Sequence, residues 1–491
     1  MSGQRPNILL VTTDQQRYDT LAPYAPSFLR TPHLDLLRHQ GVRFDRAYAE
    51  TPICVPSRVS LLTGQSPFRH GMTANGSSSA VAGRTGTLPA RLRDLGYATC
   101  AVGKMHFTPE RARHGFDEVL LPADYYRAMA ESGSPLQPMR HGLGQNELHP
   151  GASTVPEAMT LTSWIAEQSV RYIRDRRDPT CPFFLWTSFS KPHPPLDPPE
   201  PYASMYLHDE MPAPTSAAWS SGDGCPEAFV RQRQRGGYDL LSPEVVAAAR
   251  RAYYGLVTHV DYAFGRVLAA LQDVDLLRDT TILFTSDHGE FLGDHRCGNK
   301  VMFHDVSARV PLLYRPARGD DTVGAGGVSD ALVTHTDVAA TILAAAGGTV
   351  PDDWDGTDLD ALARGTAAPR ERLLGIAHDR AQDSDAPAEP PVHLALVRDR
   401  WKYLWYPEGP SEQLFDLTAD PAECDDLARR DPRRGAELRA ELVEELERRG
   451  SPWTADGTLV RVPPLGDTER ERRAAGWPGL HTETYGVDVR H

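Results

Sequence analysis

Cys54 lies in Thr51-Pro52-Ile53-Cys54-Val55-Pro56-Ser57-Arg58, with an arginine four residues on and a predicted helix, Val59 to Thr63, closed by Gly64. Positive charge and free backbone N–H groups at a helix start favour a thiolate, so this cysteine has the setting of a nucleophile. The competing reading is a small buried cysteine before a helix, and these residues alone leave both open. A second kind of chemistry sits at two acidic strand ends. Residues 7 to 13 form a continuous apolar and β-branched run that ends at Asp14, and Thr281 to Ser286 end in the same manner at Asp287-His288-Gly289-Glu290. If the two ends converge, their carboxylates share one site; if they do not, each aspartate is a turn or helix-cap residue. Lys104 and His106 are two apart beyond a strand, so both point to one side if that strand continues. Lys191-Pro192-His193 follows another strand, and Pro192 and Pro194 stiffen its backbone.

Cys54-Val55-Pro56-Ser57-Arg58, followed by Leu62-Thr63-Gly64, resembles the signature of the type I sulfatases of the alkaline phosphatase superfamily. The resemblance continues in family order through Arg5-Pro6-Asn7, Gly103-Lys104-Met105-His106, His114-Gly115-Phe116-Asp117, Lys191-Pro192-His193, Ser286-Asp287-His288-Gly289-Glu290 and Glu412 to Asp420. It implies that Cys54 is oxidised to formylglycine by a formylglycine-generating enzyme. The hydrate of that aldehyde offers one hydroxyl to attack sulfur and a second whose deprotonation expels sulfate. It also implies one divalent cation held by Asp14, Gln15, residue 54, Asp287 and His288. By the same resemblance Arg58 orients the diol, Lys104 and Lys300 contact the sulfate, and His106 is the base for sulfate elimination. His193 becomes the acid that protonates the leaving alcohol. Asn75, in His70-Gly71-Met72-Thr73-Ala74-Asn75, reads either as a substrate contact or as a turn residue. Gln15 and His288 depart from the commonest sulfatase pattern of paired aspartates and Asp-Asn, and resemble the choline sulfatase and phosphonate monoester hydrolase branch. An amide and an imidazole make the site less anionic and shift preference from Ca²⁺ towards Mn²⁺, with Mg²⁺ also admissible.

The expected reaction is therefore hydrolysis of a small-molecule sulfate ester. The alternative is hydrolysis of a phosphonate monoester or phosphodiester at the same site, since sulfuryl and phosphoryl groups share a tetrahedral shape. A binding protein that kept the fold without the activity would be expected to lose the nucleophile or a ligand, and none is missing.

The elements that must position these residues are legible in outline. Strands at 7–13, 98–102, 183–189, 281–286 and 312–314, with a long amphipathic helix from Ser242 to Asp273, predict an α/β fold. Its large, mixed and mostly parallel sheet is sandwiched by helices in the alkaline phosphatase-like manner. Pro- and Gly-rich stretches at 122–160 and 190–242 read as pocket-forming loops. The catalytic domain is expected to span 1–370. A smaller C-terminal α+β domain at 371–450 should hold a short antiparallel sheet (393–397, 401–406, 414–417) and a charged helix from about 421 to 449. The tail at 451–491 is expected to pack on a neighbouring subunit of a homodimer or homotetramer.

The 491 residues, 40% hydrophobic and 24% charged, exceed what one core usually organises and suit a globular protein. A net charge of −14 without basic blocks argues against nucleic acid as a partner. No run approaches the roughly 18 apolar residues that span a bilayer. The start of the chain lacks a secretory pattern and the six cysteines form no CxxC pair, so a cytoplasmic location is expected.

Overall fold

The computed structural model describes residues 5–76, 86–221, 224–317, 325–378, 392–408 and 411–462. Eight strands form the main sheet: β1 (Asn7–Asp14), β2 (Val42–Tyr48), β3 (Ala98–Gly103), β4 (Glu118–Leu120), β5 (Phe183–Pro192), β6 (Thr280–Ser286), β7 (Leu312–Arg315) and β8 (Gly327–Thr334). Their order is β4-β3-β5-β1-β6-β7-β2-β8, parallel except for β7, which runs against both β6 and β2. This is the mixed, mostly parallel sheet of an alkaline phosphatase-like fold. β1 sits at its centre because Ile8 and Leu10 bury into one face while Leu9 and Val11 bury into the other. Helices Cys54–Thr63, Leu88–Asp94 and His335–Ala345 cover the first face, and Pro32–Gln40, Leu161–Arg171 and Pro243–Asp273 the second. Ser242 caps the longest helix by accepting a hydrogen bond from the Val245 N–H, and Pro243 takes its first position.

A separate antiparallel sheet, ordered β12-β11-β10-β9, is built from β9 (Arg372–His378), β10 (Val392–Arg398), β11 (Trp401–Tyr406) and β12 (Ser411–Asp416). One face packs on the helix Pro432–Arg448 through Leu438, Leu442 and Leu446. The other meets Tyr48, Met302 and Phe303 of the larger unit. Gly375 of β9 makes room there, since a Cβ at that position would lie 2.3 Å from the Phe303 ring.

Several expectations need correction. The C-terminal helix begins at Pro432 and not near 421, because Asp431 caps it and Pro432 occupies its first turn, while 421–431 form turns. The helix at the cysteine begins at Cys54 itself and not at Val59. The 122–160 and 190–242 stretches contain the helices Pro122–Glu131 and Glu227–Gly236. Apart from these corrections, residues 451–462 of the tail form a hairpin of β13 (Thr454–Ala455) and β14 (Thr458–Leu459) beside the second sheet; 463–491 lie outside the described residues. Among the described residues no helix is long and apolar enough to cross a membrane.

The two sheets are also joined by a buried charge cluster. Lys402 Nζ of β11 lies 2.5 Å from Asp305 Oδ1 and 2.8 Å from Glu423 Oε1, all nearly inaccessible. Burial pushes the Glu423 carboxyl up to about 7 despite the lysine. Lys402→Met should leave two buried acids without their cation and cost about 3 kcal/mol or more. Urea unfolding followed by circular dichroism checks this, and an unchanged midpoint would show that the cluster contributes little.

Candidate active site

β1 and β6 are parallel neighbours in register, with Thr13 opposite Ser286, so the next residues, Asp14 and Asp287, leave the sheet side by side. The Asp287 N–H donates to the Thr13 carbonyl at 3.1 Å, which fixes the second turn against the first. The helix Cys54–Thr63 points its first residue at the same spot. Cys54 Sγ lies 3.2 Å from His288 Nε2 and 3.8 Å from Asp14 Oδ1. Asn75 Oδ1 accepts the N–H of Val55 at 3.0 Å, so its oxygen is taken by the helix start that presents Cys54.

Each aspartate divides its oxygens between two tasks. Asp14 Oδ2 is held by Lys104 Nζ at 2.5 Å and by Arg58 at 3.3 Å, and Asp287 Oδ2 by Arg58 Nε at 2.9 Å. The Oδ1 atoms face His288 Nε2, at 3.8 Å from Asp14 and 3.6 Å from Asp287. The fully buried Arg58 guanidinium thus clamps both carboxylates from beneath and also donates to Ser188 Oγ at 2.8 Å. His288 Nδ1 is 3.0 Å from the Gly289 carbonyl, an arrangement that leaves Nε2 facing the carboxylates.

Donor atoms of Asp14, Cys54, Asp287 and His288 all lie within 4.8 Å of one another and are buried. Two carboxylate oxygens, an imidazole nitrogen and a converging side chain form a donor set that fits a divalent cation. Gln15 joins them through a left-handed backbone (φ 70°), which a non-glycine residue adopts only under constraint. That constraint is visible: its N–H donates to Asp287 Oδ1 at 3.0 Å, and Tyr253 donates to its carbonyl at 2.7 Å. Its side-chain oxygen accepts from Lys300 Nζ at 2.6 Å while its amide donates to Glu290. Lys300 is delivered by a strained turn in which Asn299 (φ 68°) and Val301 (φ 97°) are both left-handed.

β5 continues past Ser188 to Pro192, and the His193 N–H donates to the Asp14 carbonyl at 3.0 Å, which brings its imidazole over the site. His193 Nδ1 lies 2.6 Å from the Pro194 carbonyl, to which it donates, so Nε2, 3.2 Å from Lys300 Nζ, accepts from the ammonium. Burial and the Lys300 charge hold this imidazole well below its ordinary basicity. Burial and Asp14 push the Cys54 thiol up, but Lys300, Lys104 and His288 outweigh them and hold it well below a free thiol. Asp14 is raised by burial and lowered further by Lys104, His193 and Arg58, so it is firmly ionised. Burial works against the Lys104 ammonium, yet Asp14 and Cys54 more than offset it.

The site therefore gathers Asp14, Gln15, Cys54, Arg58, Lys104, His193, Asp287, His288 and Lys300. His106 stands apart: it is exposed, with a left-handed backbone (φ 61°), in the wall of the adjoining cavity, and Asp14, Cys54 and Lys104 are not its partners. Glu290, which orients Gln15, and Ser188, which holds Arg58, are structural parts of the site given no role from sequence. Glu290 was within reach, because it closes the Asp287-His288-Gly289-Glu290 motif.

A thiol facing a cation-binding cluster at the carboxyl edge of such a sheet, ringed by lysines and a buried arginine, defines a hydrolase of anionic esters. Residues 6–348 match the sulfatase family, and residues 293–451 match the C-terminal region of N-sulphoglucosamine sulphohydrolase. The chain belongs to the sulfatase family and is a sulfuric ester hydrolase. It is 32% identical to an arylsulfatase of Clostridium perfringens (strain 13 / Type A), over 94% of this chain and 98% of that protein. It is 29% identical to a choline-sulfatase of Rhizobium meliloti (strain 1021), over 97% and 91% respectively. The phosphonate monoester hydrolase of Silicibacter pomeroyi shares the fold with a TM-score of 0.75 at 24% identity, over 91% of this chain and 96% of that one.

Cation binding has a readout that does not need turnover. A divalent cation at 100 times its dissociation constant should stabilise the fold by about 2.7 kcal/mol. Thermal unfolding with and without Mn²⁺ or Ca²⁺ should show this rise for the parent and lose most of it in Asp287→Asn. An equal rise in both proteins would place the cation elsewhere.

Proposed function

We propose that this protein hydrolyses a small-molecule sulfate ester to an alcohol and inorganic sulfate, using residue 54 as formylglycine together with one divalent cation. The observation that carries the reading is the approach of Cys54 Sγ to His288 Nε2 and Asp14 Oδ1, which makes the would-be nucleophile part of the cation-binding cluster. Asp14, Asp287, His288 and the side chain at 54, with Gln15, would hold the cation, which when bound lowers a hydroxyl's pKa and neutralises substrate oxygens. The hydrated aldehyde supplies one hydroxyl to displace the alcohol from sulfur and a second whose deprotonation releases sulfate as the carbonyl re-forms. Lys104 and Lys300 face the transferred group and offset its charge. Arg58 lies across both aspartates and keeps them aligned.

His193 serves the leaving oxygen. Lys300 Nζ lies 3.2 Å from its Nε2, and as negative charge develops on the departing alcohol a proton passes from Lys300 to Nε2 and from Nε2 to that oxygen, leaving Lys300 as the neutral amine and the imidazole unchanged. Loss of this acid matters most when the leaving alcohol is a poor one. His193→Gln should lower kcat/KM by about 10² to 10⁴ for alkyl sulfates, and by less for an aryl sulfate with an acidic phenol. Equal losses on both substrates would remove the acid role.

A second reading, hydrolysis of phosphonate monoesters, is favoured by Gln15 and His288, which resemble that branch, and by the likeness of fold to a phosphonate monoester hydrolase. Comparing kcat/KM for an aryl sulfate and the matching aryl phosphonate monoester decides between them, and a phosphonate preference overturns the sulfate reading. Cys54→Ala should lower kcat by on the order of 10⁴ to 10⁶, and the peptide carrying residue 54 should be about 18 Da lighter than its cysteine form. Full activity in Cys54→Ala would end both readings.

A further inference from the structure

A cavity of about 410 Å³ opens beside the cluster, with Lys104 and His193 in its wall, so it receives whatever the sulfuryl group is attached to. Phe107, Leu121, Tyr125 and Tyr126 give it apolar and aromatic sides. Its internal charges are already matched: Asp197 is held by Lys191 and by His141 Nε2 at 3.1 Å, and Glu110 is exposed. A second sulfate therefore finds no unmatched lysine in these walls, since Lys104 is paired with Asp14 and Lys191 with Asp197. One polar group stands out. Leu256 and His259 of the helix Pro243–Asp273 line the cavity one turn apart, and His259 is 1% exposed. Its ring stacks on Tyr202, with centroids 4.7 Å apart and planes at 25°, which fixes its orientation. Neither of its ring nitrogens has a hydrogen-bond partner among the described residues. Burial pushes the imidazole down to about 3, so it is neutral and carries one donor and one acceptor. A buried polar group without a partner is rare in a folded protein and points to a ligand that completes it.

We infer that His259 is a specificity-determining residue that hydrogen-bonds a hydroxyl or similar uncharged polar group on an otherwise apolar, aromatic-sized leaving group. The inference rests on the ester-hydrolase reading of the adjoining cluster, and narrows its substrate to a sulfate ester whose leaving group is uncharged and ends in a hydrogen-bonding group.

The test compares (hydroxymethyl)phenyl sulfates with the nearly isosteric ethylphenyl sulfates, at the meta and para positions, together with the same pairs as phosphonate monoesters. Within a pair the phenols have similar acidity, so kcat/KM reports recognition of the substituent. The parent should prefer a hydroxymethyl ester by about tenfold or more. His259→Phe should erase that preference, and His259→Gln, which keeps a donor and an acceptor, should retain part of it. A parent that shows no preference in any pair overturns the inference, as does a preference that survives in correctly folded His259→Phe. If the sulfates are inert but the phosphonates show the hydroxymethyl preference, the sulfate reading fails while the subsite stands.

Discussion

Asp14 and Asp287 leave adjacent parallel strands at the same level, and two carboxylates held so close in a buried place repel one another when both are charged. Arg58 resolves that repulsion by lying across both, with no exposed surface of its own. Its guanidinium is planar and always charged, which lets a single side chain serve two acids and a serine at once. The arrangement turns one oxygen of each acid towards His288, with Cys54 beside that of Asp14 and the Gln15 N–H on that of Asp287. Everything else in the site, from the turn at Gln15 to the lysines, is arranged around that pair of oxygens.

The charges around the pair explain why an anion is drawn in. Arg58, Lys104 and Lys300 stand against Asp14 and Asp287, and a cation added to the cluster would tip the balance further positive. An anionic ester offsets part of that excess without any long-range field, which suits a chain whose net charge is −14. The attraction is local and short-ranged.

What the sequence disclosed follows from how each element is buried. β1 and β6 were legible because strands covered on both faces read as unbroken apolar runs, and their acidic tips named the site. β2 was hidden because Arg43 and Asp45 interrupt its pattern, and the structure pairs those two charges with each other. β8 was hidden as an edge strand whose first half is largely solvated. The carboxylates, the cysteine and the two lysines could be assembled from motif order alone. The positions of His106 and Asn75 could not be read in this way, because one is set into the cavity wall by a left-handed backbone and the other is occupied by a helix start. His259 carried no sequence signal, since a histidine inside a long amphipathic helix looks like any other core position.

The second sheet is often easiest to think of as an appendage, yet Gly375 and the Lys402 cluster give it a different status. The ring of Phe303 occupies the space a side chain at 375 would need, and Asp305, two residues on, is neutralised by a lysine from the same sheet. Lys300 sits only a short way before them in the chain. Detaching the C-terminal strands would therefore strip an aromatic from its socket and take the buried lysine from Asp305, a few residues along the chain from Lys300. The two sheets should melt together as one cooperative unit, and a protein shortened to its larger sheet would not be a smaller enzyme.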